Sequence, residues 1–196
     1  MSTGATRGGR RLGVAATVAI ALLLTSCAGS RTEVDSPVGG TGFRAGDGTA
    51  TLLPVDDRRA APALRGSTLD GAPLDVADLR GTVVVLNIWG SWCAPCKKEQ
   101  PDLQRAAADL APAGVRFVGI NVRDRTTGNA LAHNRRFGVT YPSLFDPSAG
   151  LVGRFRDLPP TAIPSTVILD RDGRVAARVI GGTTYDDLVA LVRRVA

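Results

Sequence analysis

The sequence is short of the residues that most site chemistries need. Its 196 residues include three cysteines, one histidine, one methionine and two tryptophans, and aromatic residues make up 5%. A zinc ribbon requires a second ligand pair, and no C-x-x-C exists besides Cys93 and Cys96. A covalent haem motif requires histidine directly after the second cysteine, where this chain has Lys97. The lone His133 sits in the polar part of a predicted helix, and nothing near it suggests a Cys–His nucleophile, so a surface position is expected. The net charge of +6 invites a nucleic-acid partner, but Arg7, Arg10 and Arg11 account for half of it and stand where no Asp or Glu occurs. Without them, 21 basic residues face 18 acidic ones. The remaining arginines are interleaved with aspartates, with no basic stripe and no aromatic stacking platform. No nucleic-acid partner is expected.

Apolar runs are short as well. The run 12–24 is too brief to span a bilayer as a mature helix, but it follows the basic cluster as the core of an export signal does. It ends in Leu24-Thr25-Ser26-Cys27, which resembles the lipobox of bacterial lipoproteins. That resemblance implies cleavage before Cys27 and lipidation of its sulfur, which would anchor the chain in the bilayer. An ordinary cleaved signal with an incidental cysteine, or an uncleaved anchor, is the plainer alternative. Residues 1–26 are therefore read as a lipoprotein signal peptide. Residues 27–50, rich in Gly, Ser, Thr and Asp, are read as a flexible tether.

Residues 51–196 carry the pattern of one domain. Asp70-Gly71 is a turn dipeptide suited to a hairpin. The run 83–89 is apolar without alternation, as in a strand covered on both faces. A helix from Ala94 to Leu110 follows, with Pro95 in its first turn and Pro101 expected to kink it. A strand over 115–121, a helix over 126–137 and a short extended piece over 141–146 come next, then a short helix over 151–155. Strands over 166–169 and 175–180 and a helix over 184–195, capped by Thr183 or Thr184, close the chain. The order points to an α/β domain with a central mixed sheet.

The dithiol sits where this chain turns from strand to helix. Cysteine is nucleophilic only as thiolate, and a helix N-terminus favours the anion through its unpaired N–H groups and the macrodipole. Cys93 is therefore expected to be the exposed attacking thiol. Cys96, one turn on, is expected to be the deeper, resolving thiol. A structural disulfide or a metal pair remains the alternative use of such a motif, although a loop this short gains little closure entropy.

Residues 83–101 (VVVLNIWGSWCAPCKKEQP), Ile163-Pro164-Ser165-Thr166-Val167-Ile168-Leu169-Asp170 and Asp172-Gly173 resemble the TlpA/ResA branch of the thioredoxin superfamily. The resemblance implies a thioredoxin-like fold, with a central mixed sheet flanked by helices, an N-terminal β-hairpin extension and an inserted helix. It also implies a redox-active disulfide between Cys93 and Cys96. Ile163-Pro164 matches the cis-proline loop that shapes the substrate groove, and Trp92 matches the aromatic residue flanking the attacking cysteine. Glu99 matches an acidic residue near the dithiol, which could manage the proton of Cys96; the alternative is a solvated first-turn Glu balancing Lys97 and Lys98. Asn87 stands where cytosolic thioredoxins bury an aspartate, and cannot exchange a proton.

By the same resemblance, the protein is expected on the outer face of the cell membrane, or the periplasmic side in a two-membrane cell. Its expected partners are a disulfide-bearing exported protein such as apocytochrome c and a membrane thiol-electron donor; it is expected to be a monomer without cofactor. A thioredoxin-fold peroxidase is a competing reading, but it expects threonine where this chain has Gly90. A lipoprotein carrying Cu(I) on the dithiol is another.

Overall fold

The apolar run at 83–89 forms the middle of a six-stranded sheet. The computed structural model describes residues 48–196. The predicted signal, Cys27 and all but the last three residues of the predicted tether lie outside them. The strands are β1 (Thr49–Leu52), β2 (Arg65–Ser67), β3 (Pro73–Asp75), β4 (Val84–Trp89), β5 (Arg116–Val122), β6 (Ser143–Asp146), β7 (Ser165–Leu169) and β8 (Val175–Ile180). The helices are α1 (Ala94–Leu110), α2 (Thr127–Phe137) and α3 (Tyr185–Val195). The large sheet has the order β1-β8-β7-β4-β5-β6, while β2 and β3 pair antiparallel around Asp70-Gly71 as the expected hairpin. β4 runs parallel to β5 and antiparallel to β7, so the sheet is mixed.

Two-residue periodicity divides β4 between two cores. Val83 and Val85 pack with Leu103, Ala106 and Leu110 of α1 and with Leu188 and Val192 of α3. Val84, Leu86 and Ile88 pack on the other side with Ala130 of α2, Leu64 and Leu69 beside the hairpin, and both dithiol cysteines. With every residue of β4 buried, neither face tolerates a polar side chain without a partner. Asn87, the one polar residue of β4, donates its Nδ2 to Glu99, while its Oδ1 is buried without a partner.

Several boundaries follow from capping. Thr184 caps α3 by accepting from the Asp187 N–H, and Asp186 and Asp187 occupy its positive first turn. Gly138 ends α2 in the left-handed conformation. α1 runs without a break through Pro101, whose missing N–H forgoes one ladder bond. The short helix expected at 151–155 is a single 3-10 turn, Val152–Arg154. One strand escapes the sequence pattern: β1 begins at Thr49, inside the stretch read as tether, and pairs antiparallel with the edge of β8. Its half-exposed Thr-Ala-Thr-Leu alternates over only four residues with small side chains, too weak a pattern to announce a strand, and the β8 ladder and the packing of Leu52 on the core hold it in place.

Candidate active site

The chain leaves β4 at Trp89 and turns through Gly90, Ser91 and Trp92 before α1 begins. A Cβ on Gly90 would lie 2.5 Å from Trp92 Nε1, so this position admits no side chain while the indole stays where it is. Trp92 Nε1 donates to the Val122 carbonyl at 3.2 Å. Asp124 accepts from the Ser91 N–H at 2.9 Å, the Ser91 hydroxyl at 2.5 Å and Asn121 Nδ2 at 2.7 Å. The loop before the dithiol is thus tied to the end of β5 by a buried carboxylate. Ser91, Asn121 and Asp124 were not expected as site residues. Asp124 stands between Arg123 and Arg125 and reads in sequence as a solvated charge.

Cys93 is the N-cap of α1 and forms a disulfide with Cys96, with Cα atoms 5.3 Å apart. The Cys96 N–H donates to Cys93 Sγ at 3.2 Å. A helix-terminal donor therefore points at this sulfur, as the thiolate argument requires. Exposure does not separate the two cysteines: Cys93 is 2% exposed and Cys96 1%. The expectation of an exposed Cys93 is corrected for this disulfide form. Both cysteines sit in the apolar cluster with Ile88, Trp89 and Ile163. What distinguishes Cys93 is the N–H donor.

Ile163-Pro164 is cis, and the Pro164 carbonyl accepts from the Gly181 N–H at 2.9 Å. Ile163 and Pro164 are buried, and Ile163 shares the cluster that holds both cysteines. Trp92, 37% exposed, is the outward-facing member of the predicted groove residues. Cys27 lies outside the described residues.

Glu99 is 4% exposed, which rules out a solvated first-turn Glu paired with Lys97 and Lys98. Asn87 Nδ2 donates to its Oε1 at 2.9 Å and the Thr183 N–H to its Oε2 at 3.0 Å. Burial pushes its carboxyl up to about 7; these two hydrogen bonds oppose the rise and nearby Asp102 adds to it. One turn from Cys96, the chain holds a carboxyl that exchanges its proton near neutrality.

The next residue, Gln100, enters a different cluster. Its Nε2 donates to the Tyr141 hydroxyl at 2.8 Å, and its Oε1 lies 3.3 Å from His133 Nε2. His133 is 5% exposed, with its ring 4.5 Å from that of Trp89 and 4.6 Å from that of Phe137. This corrects the expected surface position, because the face of α2 carrying His133 packs on the aromatic end of β4. Burial, with Lys97 nearby, lowers His133 to about 4 and keeps the ring neutral. Among the described residues, no cluster of three or more His, Cys, Asp or Glu could hold a metal ion.

Comparison with known proteins places this geometry. Residues 58–178, which enclose the dithiol and the cis-proline loop, match the AhpC/TSA family. The thiol-disulfide oxidoreductase ResA of Bacillus subtilis (strain 168) is 30% identical over 137 residues, covering 69% of this chain and 73% of that protein. The crystal structure of a DsbF homologue from Corynebacterium diphtheriae superposes with a TM-score of 0.71 at 33% identity, covering 80% of this chain and 99% of the other. A secreted thiol-disulfide isomerase from Corynebacterium glutamicum gives 0.69 at 33% identity, covering 79% and 99%.

Proposed function

The chain belongs to the AhpC/TSA family and is a ResA-like thiol–disulfide oxidoreductase, and from that premise we propose that it reduces disulfides in exported proteins while anchored outside the cell membrane through a lipidated Cys27. The observation that carries the exchange chemistry is the Cys93–Cys96 disulfide at the start of α1, with the Cys96 N–H aimed at Cys93 Sγ.

In the reducing direction, the Cys93 thiolate attacks one sulfur of the substrate disulfide. A mixed disulfide forms, and the other substrate sulfur leaves as a thiolate that takes up a proton. Cys96 then gives up its proton, with Glu99 as acceptor, and attacks Cys93 Sγ. The mixed bond breaks and the second substrate thiol leaves. The protein ends as the disulfide and the substrate as the dithiol, so a membrane thiol donor must return two electrons for each cycle. Apocytochrome c awaiting haem is the substrate favoured by the family resemblance. The basic cluster, apolar run and Cys27 at the N-terminus support export and anchoring.

Two experiments test the reading. Cys96→Ser should trap exported proteins on Cys93 as mixed disulfides in cells, and recovery of none sinks the exchange mechanism. The Cys93/Cys96 potential should lie below about −200 mV for a reductant, while one near about −120 mV assigns the opposite direction of flux. The competing peroxidase would need threonine at position 90, where Trp92 leaves no room for a Cβ.

A further inference from the structure

Beside the dithiol lies an open groove of about 650 Å³, lined by Trp92, Lys97, Arg123, Arg125, Arg136 and the buried His133 among others. Its charge is one-sided. From residue 48 onward the chain has 19 Lys and Arg against 15 Asp and Glu, a net +4. Four of those cations line this groove, against the single carboxylate of Asp124. Asp124 is buried and already accepts three hydrogen bonds from Ser91 and Asn121, so the fold has used its charge. Among the described residues, Lys97, Arg125 and Arg136 have no carboxylate at ion-pair distance, and all three are exposed. Most of the domain's excess positive charge therefore converges on one concavity, and three of its four cations, Lys97, Arg125 and Arg136, meet no carboxylate at ion-pair distance among the described residues.

The groove is also built for a chain and not only for an ion. Trp92 and Phe137 give it apolar surface, with the Arg136 guanidinium 5.6 Å from the Phe137 ring centroid. Because Gln100 Nε2 is committed to Tyr141, its Oε1 faces His133 Nε2, which must then carry the ring proton. His133 Nδ1 is left as a buried acceptor without a partner. That atom is shut off from solvent, so the surface the groove offers a chain is that of Trp92 and Phe137. Position matters as much as charge, since Trp92 directly precedes Cys93 and Lys97 directly follows Cys96. Two residues that line the groove are thus chain neighbours of the reacting cysteines.

We propose that this groove docks an acidic segment of the substrate chain, so that the enzyme selects disulfides flanked by Asp or Glu. The proposal rests on the thiol–disulfide exchange reading and names the substrate class for it. Cations around a concave site raise the local concentration of an anionic partner by about tenfold or more at low ionic strength. The advantage falls as salt shortens the screening length.

Two measurements on the full chain separate the docking proposal from the exchange reading. In the first, fluorescein-labelled octapeptides with Ser in place of Cys, flanked by Glu or by Lys, are titrated into the oxidised protein and followed by anisotropy. The Glu peptide should bind at least about tenfold more tightly at low salt, and the gap should close with added NaCl. Arg125→Glu with Arg136→Glu should abolish or invert the preference, and Arg125→Gln with Arg136→Gln should fall between. Equal binding of the two peptides, or a preference that survives the double Glu variant, overturns the docking proposal. In the second, the reduced protein is mixed with hydroxyethyl disulfide, which carries no charge for the groove to read. Failure of that exchange overturns the thiol–disulfide reading whatever the peptides do. A shifted potential in a variant that retains peptide preference would assign these arginines to tuning Cys93 and overturn docking.

Discussion

Glu99 and Gln100 are consecutive on α1 and both buried, yet they enter polar clusters of opposite character. Gln100 joins Tyr141 and His133 in a group that burial keeps neutral: the histidine is lowered to about 4 and the tyrosine hydroxyl is raised. Glu99 has two good donors, Asn87 and Thr183, but desolvation still outweighs them and its proton stays exchangeable near pH 7. Satisfying hydrogen bonds is therefore not enough to make a buried carboxyl structural. Two donors hold a neutral amide comfortably, whereas a carboxylate in the same place lacks the solvation that its charge needs.

The difference is largest at Glu99→Gln. Loss of the proton acceptor should slow exchange at pH 7 by about 10²-fold. Stability should move the other way. The folded protein holds this proton more tightly than the unfolded chain, so the contribution of Glu99 is fully present below about pH 4.5 and is lost as pH rises through about 7. That loss is on the order of 3 kcal/mol. Glutamine escapes it but leaves the Thr183 N–H or the Asn87 amide without an acceptor, at about 1 kcal/mol. Urea unfolding should then show the variant about 2 kcal/mol more stable than wild type at pH 8. A variant that is less stable at pH 8, or one that exchanges at the wild-type rate, would remove Glu99 from the mechanism.

Gln100→Leu should do the reverse. Two buried groups lose their partner, which costs about 2 kcal/mol at every pH from 5 to 8, while exchange with hydroxyethyl disulfide stays within about twofold of wild type. A strong pH dependence of that cost would mean the second cluster titrates after all. The smallest effect is expected at Asn87→Leu. One charge-stabilising hydrogen bond is removed, and the pH midpoint of exchange should rise by about one unit. A midpoint that does not move would show that Glu99 does not set it.

The two clusters also oppose each other between pH 4.5 and 6.5. Glu99 favours folding at the acid end; neutral His133, with its folded value below its unfolded one, adds stability that is lost as pH falls through about 4. The Glu99→Gln protein should expose the second slope alone, becoming less stable from pH 6.5 toward pH 4 in calorimetric scans. A flat profile there would place His133 in contact with water.

The sequence made the dithiol, β4 and α1 legible because each rests on local signals: an apolar run without alternation, a first-turn proline and a helix-terminal cysteine. Glu99 and the Ile163-Pro164 loop came from family resemblance, and the surroundings of Glu99 did not follow from its position. Gly182 and Thr183, which close over it, come from the far end of the sheet. The burial of His133 is not legible because its neighbours Asn134, Arg135 and Arg136 are polar, whereas two of its contacts, Trp89 and Gln100, belong to other elements. Asp124 is hidden from local pattern for the same reason, since its partner Ser91 follows the neighbouring strand β4, far off in sequence. β1 was missed because an edge strand is specified by the ladder it completes.

That edge strand also determines where the rest of the polypeptide takes hold of the domain. The Gly48 N–H donates to the Ile180 carbonyl at 2.8 Å, at the end of β8 from which Gly181 and Thr183 reach Pro164 and Glu99. Any upstream pull is therefore delivered at the mouth of the site and not at the opposite pole. Twenty residues lie between Cys27 and Gly48, a number that spans at most about 70 Å at full extension. Under the anchoring proposed at Cys27, the reacting sulfurs would patrol a thin shell above the bilayer. A membrane donor and a newly exported client would then be sought in two dimensions instead of three.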